Sequence, residues 1–349
     1  MAAEADIPTI DVSPLRTGSA AAKRDVARQI DQACTDIGFF MVMGHGIAPD
    51  LIDAARQRAI DFFALPVDDK MKVQRPPSKI SRGYNWLGER SVAYSMGQAA
   101  PPDIQEAFAF GPDRASSLAS TIDSTSAQMY APNIWPAQPR DFKATMLSYY
   151  DAMQDVASQV LGAMAMALDV DQNYFAEKFD RQASVVRIIR YPAVMQAPLP
   201  GQLRAGAHTD YGAMTFVRGD DTPGGLQVKH RHGGWIDVHI PRHAFVCNIG
   251  DLMMRWSNDR WVSTVHRVAV PPADAAPSDR ISLVFFQYPN PDAMIRCFPS
   301  CVGTGEKYPP ITVAEHYLGK LMKAGHSRLD AKAADAVAAT PPREAQPMQ

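Results

Sequence analysis

The chain has 349 residues, of which 46% are hydrophobic and 21% are charged, and its formal net charge at pH 7 is −2. This composition is that of a soluble globular protein with enough apolar material for a sizeable core. The near-neutral charge excludes the basic surplus that would attract nucleic acid or an anionic membrane. No stretch approaches the ~18 uninterrupted apolar residues of a membrane span, so we expect neither kind of partner.

Cysteine usage and the first residues predict a cytoplasmic protein. Four cysteines in a chain of this length fit free thiols in a reducing compartment. The first six residues contain no cationic segment and no apolar run, so no secretory signal is expected. Cys297 and Cys301 form a CxxxC pair, which is a weak metal half-site without further partners.

The N-terminal half combines helix-like segments with short apolar runs. Hydrophobic periodicity predicts two strands and three helices, at Ile7–Val12, Ala20–Cys34, Gly38–Met43, Pro49–Phe63 and Phe142–Leu168. The stretch from Ser78 to Pro112 is irregular and rich in Gly, Arg and Tyr. Its length indicates a functional loop rather than a linker.

The pattern changes to short β-rich runs after Val185. These predicted strands are Val185–Tyr191, Ala213–Val217, Leu226–Val228, Trp235–Val238, Ala244–Ile249, Ser263–Ala269 and Ile281–Gln287. Gly and Pro clusters separate them, which favours a sandwich or barrel. A last helix is predicted near Val313–Lys323.

These elements predict an α+β protein that is mainly β. A helix-rich N-terminal region, residues 1–184, is expected to pack on an all-β core, residues 185–325, in a single compact unit. Residues 326–349 have little apolar content and are expected to form a frayed tail or a lid.

Three residues form a candidate metal site. His208 and Asp210 are two residues apart, so in a strand they face the same way. His266, in a later predicted strand, can complete a set of two imidazoles and one carboxylate. This ligand set leaves positions open on a non-haem Fe(II) for substrate and O2, whereas a structural zinc site would close all four.

Other interpretations of these residues stay open at this point. An isolated His-x-Asp tripeptide also occurs as a surface turn or a cap. Four further histidines compete for the third ligand position, two in a polar turn and two flanking Pro241: His230, His232, His239 and His243.

A candidate anion site follows the metal residues along the chain. Arg280 and Ser282 share a strand face, and a guanidinium with a hydroxyl can bind a carboxylate through charge-assisted hydrogen bonds. Tyr191, at the end of a predicted strand, can donate a third. An Arg-x-Ser pair alone is also compatible with an exposed strand.

Candidate substrate residues follow from the same alternation. Arg187 shares a face with Tyr191, so it can meet an anionic group of the substrate, support the co-substrate or pair with a structural carboxylate. Phe286 shares a face with Arg280 and can pack on the substrate or in the core. Three residues of the predicted loop are lid candidates: Arg82, Tyr84 and Phe108.

The ordered set of motifs resembles the isopenicillin N synthase-like branch of the Fe(II)/2-oxoglutarate-dependent oxygenases, from Ile7 to about Tyr317. The matching motifs are Ile7-Pro8-Thr9-Ile10-Asp11, Gly38-Phe39-Phe40, His45-Gly46-Ile47, Phe62-Phe63-Ala64-Leu65-Pro66, Pro132-Asn133-Ile134-Trp135-Pro136, Tyr191-Pro192, His208-Thr209-Asp210-Tyr211-Gly212, Gly225-Leu226-Gln227-Val228, Asn248-Ile249-Gly250-Asp251, His266-Arg267-Val268 and Arg280-Ile281-Ser282.

This resemblance implies a distorted double-stranded β-helix (jelly-roll) core flanked by helices. It implies Fe(II) bound by His208, Asp210 and His266. It also implies 2-oxoglutarate on that iron, with its distal carboxylate held by Arg280 and Ser282 and its metal-proximal end assisted by Tyr191.

The implied reaction consumes O2 and 2-oxoglutarate, releases succinate and CO2, and oxidises a C–H bond of a small metabolite by hydroxylation, desaturation or cyclisation. Ile189 and Arg190 depart from the pattern of plant members, and Pro271–Pro277 forms a loop insertion. These departures bear on the substrate and not on the metal residues.

Four alternative functions stay open. Two are family variants: an oxidase that uses iron without 2-oxoglutarate, and an ethylene-forming type of enzyme. The others are a non-catalytic jelly-roll binding module and a zinc hydrolase, neither of which needs the Arg280 and Ser282 pair. The sequence leaves the substrate and the oligomeric state undetermined.

Overall fold

The computed structural model describes residues 7–76, 80, 82–89, 91–98, 100–171, 173–220 and 222–324. The strands are β1 Thr9–Asp11, β2 Phe39–Met43, β3 Gly83–Asn85, β4 Glu106–Phe110, β5 Val185–Tyr191, β6 Ala205–His208, β7 Met214–Arg218, β8 Leu226–Lys229, β9 Trp235–Asp237, β10 Phe245–Ile249, β11 His266–Val268, β12 Arg280–Gln287, β13 Met294–Ile295 and β14 Ile311–Thr312.

The helices are α1 Pro14–Thr17, α2 Ala20–Asp36, α3 Pro49–Phe63, α4 Val67–Met71, α5 Ala115–Ala119, α6 Ser124–Ala127, α7 Phe142–Ala167, α8 Ala176–Phe179, α9 Asp251–Trp256 and α10 313–324. Single 3₁₀ turns cover Val92–Met96, Gln128–Tyr130 and Pro299–Cys301. Within the described ranges, no helix is both long and apolar enough to cross a membrane.

Two sheets face one another in the C-terminal half. Among the described residues, the larger sheet has the order β1-β2-β10-β7-β12-β5-β4-β3 and the smaller sheet has the order β6-β11-β8-β9. From β5 to β12 the chain passes back and forth between them, and these pairings are antiparallel. This arrangement is the double-stranded β-helix that the sequence resemblance implied.

Helices cover the outer face of the larger sheet. The longest, α7, places apolar side chains at three- and four-residue spacing against α2, α3 and β12. Met146, Tyr149, Met153, Val156 and Val160 of this helix are buried. The opposite face of this sheet faces the smaller sheet, and the candidate site residues lie between the two sheets.

Several predicted elements are confirmed, and one, a loop, is corrected. Helix α3 and strand β5 have the predicted bounds, and α10 covers the predicted last helix. The predicted loop from Ser78 to Pro112 instead contains β3 and β4. Every residue of β4 is buried, because this strand is covered on both faces and therefore lacks the polar–apolar alternation of a half-exposed strand.

The larger sheet draws strands from both sides of residue 185. Strands β1 and β2 extend it at one edge, and β3 and β4 extend it at the other. The division of the chain into residues 1–184 and 185–325 stays a prediction. The predicted tail, residues 326–349, lies outside the described residues.

Candidate metal centre and adjoining cavity

The predicted metal residues meet where two neighbouring strands and one turn converge. His208 ends β6 and His266 begins β11, and the two residues are direct cross-strand partners. Asp210 lies in the turn just after β6, so it reaches the site through this turn and not by strand alternation. Each imidazole Nε2 is 3.8 Å from a carboxylate oxygen of Asp210, and the three donor atoms lie within 4.8 Å of one another.

Backbone carbonyls orient both imidazoles for metal binding. Nδ1 of His208 is 2.7 Å from the carbonyl oxygen of Gly206, and Nδ1 of His266 is 3.1 Å from that of Thr264. A carbonyl oxygen only accepts, so each Nδ1 carries the proton and each Nε2 keeps its lone pair. Burial and the neighbouring His266 lower the pKa of His208 to about 4, which keeps this imidazole neutral at pH 7.

A side-chain amide holds the carboxylate of Asp210. Asn248 donates from Nδ2 to Oδ2 of Asp210 at 2.8 Å, and the backbone N–H of Asp251 donates to the Asp210 carbonyl at 2.7 Å. Burial opposes ionisation, but the two imidazoles and the Asn248 amide keep the pKa of Asp210 below its ordinary value. Two neutral imidazoles and one carboxylate fit Fe(II) with open positions.

The predicted anion site lies on the larger sheet, facing the same cavity. Tyr191 pairs with Arg280 and Ile189 pairs with Ser282 across β5 and β12, and all four side chains line the cavity. Burial raises the pKa of Tyr191 to about 12, against the opposing charge of Arg280. The phenol therefore stays protonated and able to donate at neutral pH.

The Arg280 guanidinium is held by a loop after β7. Nη1 donates to the carbonyl oxygen of Thr222 at 3.1 Å and to that of Asp220. The Asp220 carboxylate in turn accepts the Ile281 N–H at 2.9 Å and two bonds from Arg56, at 2.7 and 2.9 Å. Helix α3 thus supports the guanidinium through Arg56, a link that the sequence pattern did not reveal.

A second arginine that sequence reasoning missed lies beside Arg280. Arg204 is fully buried, and burial and the nearby Arg280 lower its pKa. It donates to the carbonyl oxygens of Pro223 and Gly224, each at 2.8 Å, and to that of Ser278 at 2.9 Å. It therefore joins the two loops that flank Arg280.

The metal residues and Arg280 share one cavity of about 340 Å³. Arg187 and Phe286 line it, as strand alternation predicted. Arg187 lies opposite Val284 in the β5–β12 register. Burial is the main cause of the lowered pKa of His208, and the charge of Arg187 makes a smaller contribution in the same direction.

The three lid candidates divide between two faces of the sheet. Arg82 lines the cavity, but Tyr84 and Phe108 do not; their expected place at the substrate is corrected. Phe108 packs on Phe62 beneath the helices, and the Tyr84 hydroxyl donates to Glu106. Successive residues of β4 face opposite sides of the sheet. Ala109, which follows Phe108, faces the cavity, so the Phe108 side chain faces away from it.

A buried carboxylate, also missed, ties the cavity wall to the metal strand. Asp103 accepts the Gly206 N–H at 2.9 Å, the Val92 N–H at 2.8 Å and the Ser91 hydroxyl at 3.3 Å. Burial raises its pKa, against these donors. Gly206 is two residues before His208, so Asp103 fixes the approach of β6 to the metal site.

Helix α10 supplies part of the cavity wall. Lys320 forms an ion pair of 2.5 Å with Asp251, and Asp251 also accepts the hydroxyl of Thr209 at 3.1 Å. Nε2 of His316 is 3.1 Å from the carbonyl oxygen of Tyr211. These contacts dock α10 on the turn that carries Asp210. Three of its residues line the cavity: Tyr317, Leu321 and Ala324.

Comparison with known families covers most of the chain. Residues 7–138 match the family described as "non-haem dioxygenase in morphine synthesis N-terminal", and residues 181–289 match the 2OG-Fe(II) oxygenase superfamily. The 2-oxoglutarate-Fe(II) type oxidoreductase hxnY of Emericella nidulans is 33% identical over 330 residues, which are 93% of this chain and 91% of the relative. Homoarginine-6-hydroxylase 2-ODD-C23.1 of Arabidopsis thaliana is 34% identical over 82% of each chain.

Solved structures give the same result. A full-length Neurospora crassa protein in complex with alpha-KG (2-oxoglutarate) superposes with a TM-score of 0.80 at 32% identity, covering 90% of this chain and 96% of that one. The complex of the same fungal protein with alpha-KG and thymine gives a TM-score of 0.79 at 31% identity, covering 92% and 97%.

The chain belongs to the 2OG-Fe(II) oxygenase superfamily. It is an Fe(II)- and 2-oxoglutarate-dependent dioxygenase, with O2 as the further co-substrate.

Proposed function

We propose that His208, Asp210 and His266 bind the Fe(II), and that Arg280, Ser282 and Tyr191 bind 2-oxoglutarate. The observation that carries this proposal is the meeting of His208, His266 and Asp210 in the cavity that Arg280 also lines. When bound, iron, 2-oxoglutarate and O2 supply the oxidising power, with release of succinate and CO2.

The chain's own residues orient these groups. The two Nδ1–carbonyl hydrogen bonds direct both Nε2 atoms at the ion, and Asn248 directs the carboxylate. At the far end, Arg280 offers a guanidinium to a carboxylate, and the Ser282 and Tyr191 hydroxyls can donate to it. We name these last three residues the co-substrate end of the cavity.

The rest of the cavity is assigned to a small-molecule substrate. We name Arg82, Arg187 and Phe286, which line it away from the 280–282 strand segment, the substrate end. A volume of about 340 Å³ is at the low end of the range for ligand sites, about 300–1,000 Å³, and it must hold the co-substrate as well. Whether a C–H bond is hydroxylated, desaturated or used for ring closure then depends on how that end presents it.

Metal and co-substrate binding test this assignment without turnover. Anaerobic titration of the wild-type protein with Fe(II), followed by calorimetry with 2-oxoglutarate, is expected to show one metal per chain and metal-dependent binding of the co-substrate. His208→Ala should abolish both. His230→Ala, on the exposed turn between β8 and β9, is the matched control and should bind as the wild type does.

Two results would count against the assignment. Full metal binding by His208→Ala would remove the triad. Metal binding by the wild type without affinity for 2-oxoglutarate would remove the role of Arg280 and favour a zinc hydrolase or a binding module.

A further inference from the structure

We propose that the substrate is a planar ring compound carrying an oxygen acceptor, that the Tyr288 hydroxyl donates a hydrogen bond to this oxygen, and that the ring packs on Phe286. This inference rests on the proposed function and names the substrate class of the same site. It is carried by the hydroxyl of a buried tyrosine beside the metal turn, by the aromatic residues of the cavity wall and by the spacing of Tyr288 and Phe286.

Tyr288 extends the cavity face of β12 by one further residue. It directly follows the strand, and it lines the cavity together with Phe286, two residues before it. Its N–H donates to the Ser184 hydroxyl at 3.1 Å. The carbonyl oxygen of the preceding residue, Gln287, accepts the N–H of Ala213 at 2.9 Å. The backbone that carries the Tyr288 ring is therefore fixed from two sides.

The hydroxyl end of the Tyr288 ring lies against the turn that carries Asp210. A Cβ added to Gly212, two residues after Asp210, would lie 3.3 Å from Cε1 and 3.4 Å from Cζ of Tyr288. Cζ is the ring atom that bears the hydroxyl, so the polar end of this side chain is the end nearest the turn. A substrate group bound by the hydroxyl would therefore lie beside the proposed metal site.

The Tyr288 hydroxyl is a donor without a protein acceptor. The side chain is 6% exposed, and within the described part of the chain its hydroxyl has no hydrogen-bond partner. Among the same residues, the side-chain N and O atoms that are sealed from solvent without a partner do not include this oxygen, so the cavity reaches it. Burial raises the pKa of Tyr288 well above its ordinary value, and the hydroxyl stays protonated at neutral pH. A ligand oxygen would satisfy this buried donor.

Aromatic rings from three elements form the wall around this hydroxyl. The Tyr317 ring of α10 lies 5.1 Å from that of Tyr288 and 6.2 Å from that of Tyr211, and both pairs are close to perpendicular. These three rings and Phe286 all line the cavity. Aromatic side chains contact a flat ring through favourable stacked or edge-to-face arrangements, so this wall favours a planar substrate.

The Phe286 ring is available to such a substrate. Phe286 is half-buried, and within the described ranges its ring contacts no other aromatic ring. Two residues along an extended chain span about 6.6 Å, which is close to the length of a single ring with an exocyclic oxygen. A ring packed on Phe286 can therefore place its oxygen at the Tyr288 hydroxyl, and this contact would hold a C–H bond of the ligand beside the metal turn.

Binding of matched ring compounds tests the substrate class. The panel consists of aldehydes and ketones on one benzene or pyridine ring. Each is compared with the analogue in which C=CH2 replaces C=O, and with the analogue that has a cyclohexane ring. Protein loaded with Zn(II) and 2-oxoglutarate is titrated with each compound by calorimetry, and compound-dependent succinate release is measured with Fe(II). At least one aromatic carbonyl compound should bind about threefold or more tightly than both of its analogues, as expected for one neutral hydrogen bond and one ring contact.

Two variants assign the two preferences to residues. Tyr288→Phe, which removes a single oxygen, should weaken binding of that carbonyl compound about three- to tenfold and leave its C=CH2 analogue within about twofold. Its metal-dependent affinity for 2-oxoglutarate should stay within about twofold, which also establishes that the variant is folded. Phe286→Leu should reduce the preference for the aromatic ring over cyclohexane. Tyr308→Phe, which loses a hydroxyl that bonds to Asp259 away from the cavity, is the matched control and should lose nothing.

Four outcomes would overturn the inference. No aromatic carbonyl compound of the panel binds, or the carbonyl compounds bind no better than their analogues. Tyr288→Phe keeps the full preference for the carbonyl group, or it loses affinity for 2-oxoglutarate as much as for the carbonyl compound, which would assign the hydroxyl to the co-substrate. Each leaves the proposed function standing if the wild type still binds 2-oxoglutarate on its metal. Absence of that metal-dependent binding would overturn the proposed function and this inference together.

Discussion

The two ends of the cavity differ in how the chain builds them. The co-substrate end consists of side chains on two paired strands, with Tyr191 directly opposite Arg280. The substrate end takes Arg187 and Phe286 from the same strands, but Arg82 comes from a distant segment and the wall opposite comes from α10. Strand alternation therefore predicts all residues of the co-substrate end but only some residues of the substrate end.

The contacts that hold the two ends of the cavity in place also differ. Arg280 is held by the loop after β7 and, through Asp220, by Arg56 of α3. The contacts that hold α10 include the hydrogen bond between His316 and the Tyr211 carbonyl and an ion pair in which the Lys320 side chain is 35% exposed. Variants of the proposed metal ligands and of each end of the cavity can therefore separate their contributions to the binding of metal, co-substrate and substrate.

Removal of the Asp210 carboxylate should have the largest effect, because the proposed metal site depends on it and the co-substrate is proposed to bind the same metal. Asp210→Ala is expected to weaken Fe(II) binding at least about a hundredfold. This is more than the loss of a residue that only hydrogen-bonds to a metal ligand causes. The variant should also release no succinate, and its metal content after dialysis measures the loss of binding. Asp274→Ala, in the exposed loop before β12, should keep full metal content. Metal retained by Asp210→Ala would contradict the ligand assignment.

Loss of the Arg280 charge should affect the co-substrate end alone. Arg280→Gln removes a charge-assisted hydrogen bond of about 1.5–3 kcal/mol, which corresponds to about a 10- to 100-fold weaker affinity for 2-oxoglutarate. Calorimetry on metal-loaded protein measures it, and metal content should not change. Arg242→Gln, whose side chain is 77% exposed, is the control. If Arg280→Gln lost affinity for both the metal and 2-oxoglutarate, Arg280 would not act on the co-substrate end alone.

The amide of Asn248 holds the carboxylate of Asp210, a proposed metal ligand, by a hydrogen bond. Asn248→Ala should weaken metal binding about 10- to 100-fold, as found for outer partners of metal ligands. Competition with a chelator measures the affinity, and Asn173→Ala at an exposed turn serves as the control. If the variant keeps wild-type metal affinity, the 2.8 Å bond has no role in binding.

Breakage of the Lys320–Asp251 ion pair should have the smallest effect. A partly exposed pair contributes about 0–1 kcal/mol, so Lys320→Met is expected to weaken substrate binding by no more than about fivefold while 2-oxoglutarate affinity holds. Faster amide hydrogen exchange across residues 313–324 should accompany it. Lys323→Met, on the same helix, should leave exchange unchanged. Equal exchange in both variants would show that the ion pair does not dock α10.

Much of the site was predictable because strand geometry is regular. Residues two apart share a face, so Arg187 and Tyr191, and likewise Arg280 and Ser282, were correctly assigned to one cavity. His266 was expected in a neighbouring strand, and it pairs directly with His208. Asp210 reaches the site from a turn, so the strand argument placed it correctly for a wrong reason.

The remainder was not predictable because it depends on contacts distant in sequence. Asp103 and Arg204 act through backbone groups up to about a hundred residues away, and no local pattern marks such partners. Phe108 was placed at the substrate because β4 was taken for a loop, and its strand alternation was therefore not applied. A strand that is buried on both faces lacks the polar–apolar period that would have revealed it.

The most direct test is calorimetric titration of 2-oxoglutarate into the protein with and without a divalent metal, repeated on Asp210→Ala and Arg280→Gln. Joint binding by the metal and by Arg280 predicts tight association in the metal-loaded wild type. It predicts little or none without metal or in Asp210→Ala, and weakened association in Arg280→Gln. Equal affinity with and without metal, or an Arg280→Gln variant that binds as the wild type does, would contradict it.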